Sequence, residues 1–211
     1  MKYDEFFRKH PVFTGEEFAK YLSSLGEVGG RTRETLLTYY RKAGRVVRVR
    51  RGLYAVIPPG AEMDSYRVDP FLLTAKLTPD SVLTHHTALE FHGKAYSVHT
   101  HFTYSASRPL ELLSFRSHVF RGTRFPNALL RSGKTHFGVL TPERSGMELR
   151  VASLERTLVD VLDRPHLSGS WEEIWRSLES VEFFDLDKVV EYALLLGNAT
   201  TGAKVGFFLE Q

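Results

Sequence analysis

Residues 31–54 read RTRETLLTYYRKAGRVVRVRRGLY, and the order of patterns within them decides the fold. The first part has helical spacing from about Thr32 to Ala43 and is stopped by Gly44. Leu36, Tyr40 and Ala43 form the expected apolar stripe of this helix. Arg31, Thr35, Thr38 and Lys42 fall on the opposite side, at i, i+4, i+7 and i+11. One face therefore serves a core and the other offers hydrogen-bond donors. The second part alternates from Val46 to Val56 around Arg51-Gly52, which reads as a β-hairpin.

Upstream, Asp4–Lys9 suits a short helix. Phe13-Thr14-Gly15-Glu16-Glu17-Phe18 carries the signs of a helix start: Thr14 as cap, Glu17 at the capping-box position, and Phe13 and Phe18 spaced as a hydrophobic staple. Phe18, Leu22 and Leu25 line one face of that helix, and Gly26–Gly30 breaks it. Helix, turn, helix and basic hairpin in this order predict a winged helix-turn-helix over residues 1–59. The turn at Leu25–Gly30 is longer than such units usually have.

Charge agrees with that reading. The net charge is +3, yet Arg31–Arg51 holds eight basic residues against the single acid Glu34, a local +7. Such a block repels itself unless it meets a polyanion. In a winged unit the second helix enters the major groove, and the wing sets arginines along the backbone or in the minor groove. Arg31, Thr35 and Thr38 are the candidates for base contacts. Arg41, Lys42, Arg45, Arg48, Arg50 and Arg51 are the candidates for phosphates, and Arg33 lies in the same DNA-binding segment. Arg48 and Arg50, two apart, are expected to share a strand face.

Pro58-Pro59-Gly60 marks the domain boundary, leaving 64–211 as a larger mixed α/β domain and the whole chain as α+β. Asp69-Pro70 starts a helix there, and a second is expected over Thr84–His92, closed by Gly93. Val98–Tyr104, Leu112–Phe120, His136–Leu140 and Met147–Val151 read as strands. Leu154–Leu162, Trp171–Ser180 and Leu186–Leu196 read as helices, with a last one from near Gly202. Lys94–Arg150 is rich in basic residues, and the stretch from Ala152 onward is acidic.

Several stretches resemble the AbiEi-type antitoxins of type IV toxin–antitoxin, or abortive-infection, systems. Arg41 to Tyr54 is similar to that family's N-terminal domain. Leu83-Thr84-His85-His86-Thr87-Ala88-Leu89 with His92-Gly93, then Val151–Asp160 and Gly206-Phe207-Phe208-Leu209-Glu210, resemble its second domain in the same order. Family members often continue well past this last stretch, whereas the chain stops there. The resemblance implies a repressor that binds inverted repeats in its own promoter. It also implies an antitoxin that counteracts a co-encoded nucleotidyltransferase toxin without forming a stable complex with it.

There is no cysteine, so disulfides and thiolate chemistry are excluded. No apolar run is long enough for a bilayer and the start lacks a signal-peptide core, so a cytoplasmic protein without membrane association is expected. His99 and His101 would share a strand face, and His85, His86 and His92 lie on or beside one helix. That spacing gives no HExxH, so no metal and no cofactor are expected. The i, i+4 pair Arg156 and Asp160 is expected to tie a helix to the sheet, and Trp171, Ile174, Trp175 and Leu178 to form a core stripe. No Asp/Glu-x-Lys, P-loop or GxSxG is present, which argues against an enzyme. Two alternatives stay open: a standalone winged-helix regulator with a ligand-sensing second domain, and a DNA-acting enzyme. No heptad seam is visible, so a monomer that pairs on repeated DNA sites is expected.

Overall fold

The computed structural model describes residues 3–26, 30–110 and 112–211, without the side chains of 30 and 31. Arg31 as a base-contacting side chain, and the part of the long turn at 27–29, therefore lie outside the described residues. The fold is α+β. The chain divides into two compact units, Met1–Leu77 with Glu143–Glu148, and Thr78–Pro142 with Leu149–Gln211.

The first unit runs α1 (Asp4–Lys9), β1 (Val12–Thr14), α2 (Gly15–Ser24), α3 (Gly30–Lys42), β2 (Val46–Arg50) and β3 (Leu53–Val56). The capping box forms in full at the start of α2. Thr14 N donates to Glu17 Oε2 at 2.7 Å, and Glu17 N donates to Thr14 Oγ1 at 3.2 Å. The Phe13–Phe18 staple closes with ring centroids 5.8 Å apart. The strand β1 is absent from the sequence reading. It pairs antiparallel with β3, Val12 against Ala55, giving a three-stranded sheet in the order β1-β3-β2. An aromatic core of Tyr3, Phe6, Phe7, Phe13, Phe18, Tyr40 and Tyr54, with Leu22, Leu37 and Val46, fills the space beneath. Burying each large apolar side chain is worth roughly 1.5–3 kcal/mol. Leu37, not Ala43, completes the buried stripe of α3. The helix ends at Lys42, so Ala43 falls in the exposed turn that Gly44 closes at φ 69°. The unit continues with α4 (Pro70–Ala75), capped by Asp69 as expected. Arg144 Nε holds that cap at 2.6 Å from Asp69 Oδ2.

The second unit holds β4 (Val82–Leu83), α5 (His86–Phe91), β5 (His101–Ala106), β6 (Leu113–Phe115), β7 (His118–Arg124), α6 (Asn127–Ser132) and β8 (Val139–Leu140). The hairpin β9 (Glu143–Arg144) and β10 (Met147–Glu148) belongs to the first unit. The chain then returns as β11 (Val151–Ala152), α7 (Leu154–Asp163), α8 (Trp171–Glu179), α9 (Leu186–Leu196) and α10 (Ala199–Leu209). The mixed sheet has the order β6-β7-β5-β4-β11-β8. Leu158, Val159, Val161 and Leu162 of α7 pack with Ile174, Leu178, Val189 and Tyr192 to form its helical core.

Several boundaries differ from the sequence reading, each for a local reason. The helix expected from Thr84 begins at His86. Thr84 N still bonds the sheet at Thr103 O, and His85 turns the chain at φ 56°. The strand expected over Val98–Tyr104 is shifted to His101–Ala106, because Ser97 N is drawn to Glu173 instead. Leu112–Phe120 is broken at Arg116, φ 54°, into the hairpin of β6 and β7. Met147–Val151 is divided between the two units. The helix α6 has no counterpart in the sequence reading, and α10 starts at Ala199 because Asn198 caps it. On α8, Trp171 is 53% exposed rather than core. Glu173 and Ser177 take the buried face with Ile174 and Leu178.

Candidate nucleic-acid interface

The helix α3 buries Leu37 and Tyr40 and turns Thr35, Thr38, Arg41 and Lys42 to the outside. Tyr39, 58% exposed, joins this face. Its spacing from Thr35 (i+4) and to Lys42 (i+3), a signal already present in the sequence, places it there. Arg33 is half-buried and bound to its neighbour, with Nη2 and Nε donating to Glu34 Oε1 at 2.8 and 3.2 Å. A helix with one anchored and one polar face is the geometry that reads base edges in a major groove.

The wing departs from regular alternation. Arg48 opposes Tyr54 and Arg50 opposes Leu53, so Val49 is an extra residue, a bulge. The expected shared face of Arg48 and Arg50 is therefore lost. Arg48 and Arg51 are exposed. Arg50 is half-buried, and its Nη2 donates to the carbonyl of Leu77 at 2.6 Å. Arg45 lies 3.3 Å from Asp4, with that carboxylate about half exposed. Behind the wing, Lys76 pairs with Glu17. Burial pushes the Glu17 carboxyl up, but hydrogen bonds from Lys76 and Thr14 outweigh it and hold the pKa below its usual value. Along α3 and the wing, charge is thus divided between anchored arginines and an exposed set formed by Arg41, Lys42, Arg48 and Arg51.

In the second unit most histidines act singly. His85 is bound to Thr84 Oγ1 at 3.0 Å and His92 to Ala152 O at 2.8 Å, while His101 is exposed. Burial lowers the His85 pKa from 6.5 to about 3. His86 and His99, assigned to different elements by the sequence, are brought together with Glu173. The Arg156–Asp160 pair forms, with Nε and Oδ2 at 3.4 Å, and both side chains are buried. It ties α7 to the stretch before β8 through Arg156 Nη1, which donates to Thr135 O and Phe137 O at 2.9 and 2.7 Å. It reaches α9 through Tyr192, whose hydroxyl donates to Asp160 Oδ1 at 2.7 Å.

Helix, strand, helix, helix and a two-stranded wing define the first unit as a winged helix-turn-helix. Residues 1–57 match the family described as transcriptional regulator, AbiEi antitoxin, and this segment is AbiEi-like. The crystal structure of the RV2827C protein from Mycobacterium tuberculosis is similar over 98% of this chain and 74% of that one. Its TM-score is 0.60 at 19% identity, a likeness of fold. No curated protein matches the chain. Among the described residues, no helix is long and apolar enough to cross a membrane.

Proposed function

We propose that the protein is a DNA-binding transcriptional repressor and the antitoxin of a type IV toxin–antitoxin pair, acting in the cytoplasm without catalytic activity of its own. One observation carries the reading: Thr35, Thr38 and Lys42 stand exposed on the second helix of a winged unit whose residues 1–57 are AbiEi-like, with Arg48 and Arg51 exposed on its wing. Residues 1–59 act as the DNA-reading segment, and the antitoxin role lies within 64–211, in the second unit. The partners are inverted repeats in its own promoter and a nucleotidyltransferase toxin that it opposes without a stable complex.

Arg48→Ala with Arg51→Ala is expected to weaken binding to all DNA alike and to flatten the log–log salt dependence by about 0.9 per lost phosphate contact. Thr35→Ala with Thr38→Ala is expected to relax the preference for the promoter over random DNA. Gel-shift titrations over a salt series read both effects. Equal affinity and slope for wild type and the quadruple variant would sink the DNA-binding reading.

Antitoxicity is expected to survive loss of DNA binding. In a growth assay with the co-encoded toxin and an unrelated promoter driving this protein, Arg48→Ala/Arg51→Ala rescues cells as the wild type does. Failure of the folded variant to rescue would tie the two roles together. A co-eluting complex would argue for a different antitoxin class.

A further inference from the structure

The bend before β5 brings His99 against His86 of α5, and α8 sets Glu173 beside both. The ligand atoms of all three lie within 4.8 Å of one another. His86 is 2% exposed and Glu173 8%. Two imidazoles and a carboxylate, with a fourth position left for water, are a donor set that Zn²⁺ takes.

We propose that His86, His99 and Glu173 bind one divalent transition-metal ion of the zinc class, with Glu90 orienting His86. His86 Nε2 and Glu173 Oε1 are 3.1 Å apart. Two ligands on a tetrahedral ion at about 2.1 Å lie about 3.4 Å from each other, so the ion fits where that hydrogen bond now sits. Glu173 is fixed for the task. Its Oε1 accepts from Ser97 N at 3.0 Å and its Oε2 accepts from the Ser97 hydroxyl at 2.7 Å.

A second observation comes from the other edge of the His86 ring. Nδ1 is buried without a hydrogen-bond partner among the described residues, and so is Glu90 Oε2, 3.8 Å away. Buried polar atoms left unpaired are costly, and these two lie close enough to become partners after a small shift. Metal binding makes them partners. When the ion occupies the Nε2 lone pair, the ring proton resides on Nδ1, and the Glu90 carboxylate, 3.8 Å away, closes on it. This is the carboxylate–histidine–metal arrangement that fixes a ligand's tautomer. His86 moves its proton from one nitrogen to the other, so the site takes up the ion with no net loss of a proton from this ring.

The third ligand must move. The His99 ring is stacked on His86 with centroids 3.6 Å apart and planes 5° from parallel, so the two sets of lone pairs run side by side. The half-buried His99 has to turn out of the stack to aim a nitrogen at the ion. The bound ion then braces α5, α8 and the segment leading into β5.

The test uses the full-length protein without a polyhistidine tag, stripped with EDTA and titrated with Zn²⁺ by calorimetry, and with Co²⁺ by visible absorption. One equivalent of Zn²⁺ is expected to bind and raise the melting temperature, and Co²⁺ to show tetrahedral d–d bands. His99→Ala abolishes the Co²⁺ bands, and Glu90→Gln weakens Zn²⁺ binding about 10- to 100-fold. His101→Ala, exposed and outside the cluster, leaves binding unchanged. Among the described residues the half-buried His99 ring is held by stacking on His86 rather than by a hydrogen bond, so its variant keeps the test decisive if His86 or Glu173 variants fail to fold. Absence of saturable binding overturns the proposal, as does binding that His99→Ala leaves intact or that His101→Ala removes.

Discussion

Arg156→Met destabilises the second unit by about 3–5 kcal/mol in urea or thermal unfolding, because it strands a buried carboxylate. Asp160 sits next to Arg156 with both side chains out of water, and burial already pushes its pKa up against the pull of Arg156. Removing the guanidinium takes away that pull and two donors to the carbonyls of Thr135 and Phe137. Among the described residues Tyr192 is the side chain left donating a hydrogen bond to the carboxylate. Arg156→Met with Asp160→Asn is expected to cost clearly less than the sum of the two single changes, since these residues share one network. A single-variant loss below about 1 kcal/mol would mean that the pair is an ornament of the fold rather than its brace.

Acid is expected to unfold the same unit early. His85 is fully buried. Burial first, then the charges of Arg164 and Arg156, lowers its pKa from 6.5 to about 3. The folded value lies below the unfolded one, so the unfolded chain binds more protons between these limits. Stability is therefore complete above pH 6.5 and falls as pH drops towards 3. At about 1.36 kcal/mol per pH unit, His85 alone removes about 2 kcal/mol by pH 5. His86, also lowered chiefly by burial, acts in the same direction. Asp160, raised by burial, acts in the opposite one. Denaturation curves at pH 7.5, 6 and 5 measure the slope. His85→Asn, which does not titrate, is expected to flatten it. Identical slopes for the two proteins would show that His85 does not carry the acid response.

What the sequence disclosed follows the range of the interactions. The α2 start was legible because Thr14, Glu17, Phe13 and Phe18 settle it among themselves. The caps Asp69, Ser153 and Asp185 lie just before the apolar periodicity they serve, and the helices behind them were found. The strand β1 was hidden because three residues show no alternation and its partner Ala55 lies across the unit's core sequence. The wing's basic alternation was plain, but the bulge at Val49 depends on how Leu53 and Tyr54 sit in the sheet. Arg50 was accordingly grouped with Arg48, and its bond to Leu77 was invisible. The Trp171 stripe misled because hydrophobicity outranked the polar pair Glu173 and Ser177, whose inward place is set by Ser97 and Tyr96 from a distant segment. For the same reason the spacing of His86 and His99 gives no sign that they meet each other and Glu173.

The small hairpin of β9 and β10 bears on how such proteins are inherited. It is encoded in the middle of the second unit's sequence, yet it packs with the first unit, where Arg144 grips the α4 cap and lies over the ring of Phe71 at 4.9 Å. A recombination event that exchanged everything up to codon 77 would deliver a first unit without its own Arg144. The incoming Asp69 would then meet whatever residue the host gene supplied there. A first unit exchanged between related genes is thus expected to keep this brace only where the hairpins are interchangeable, or where the breakpoint falls before α4.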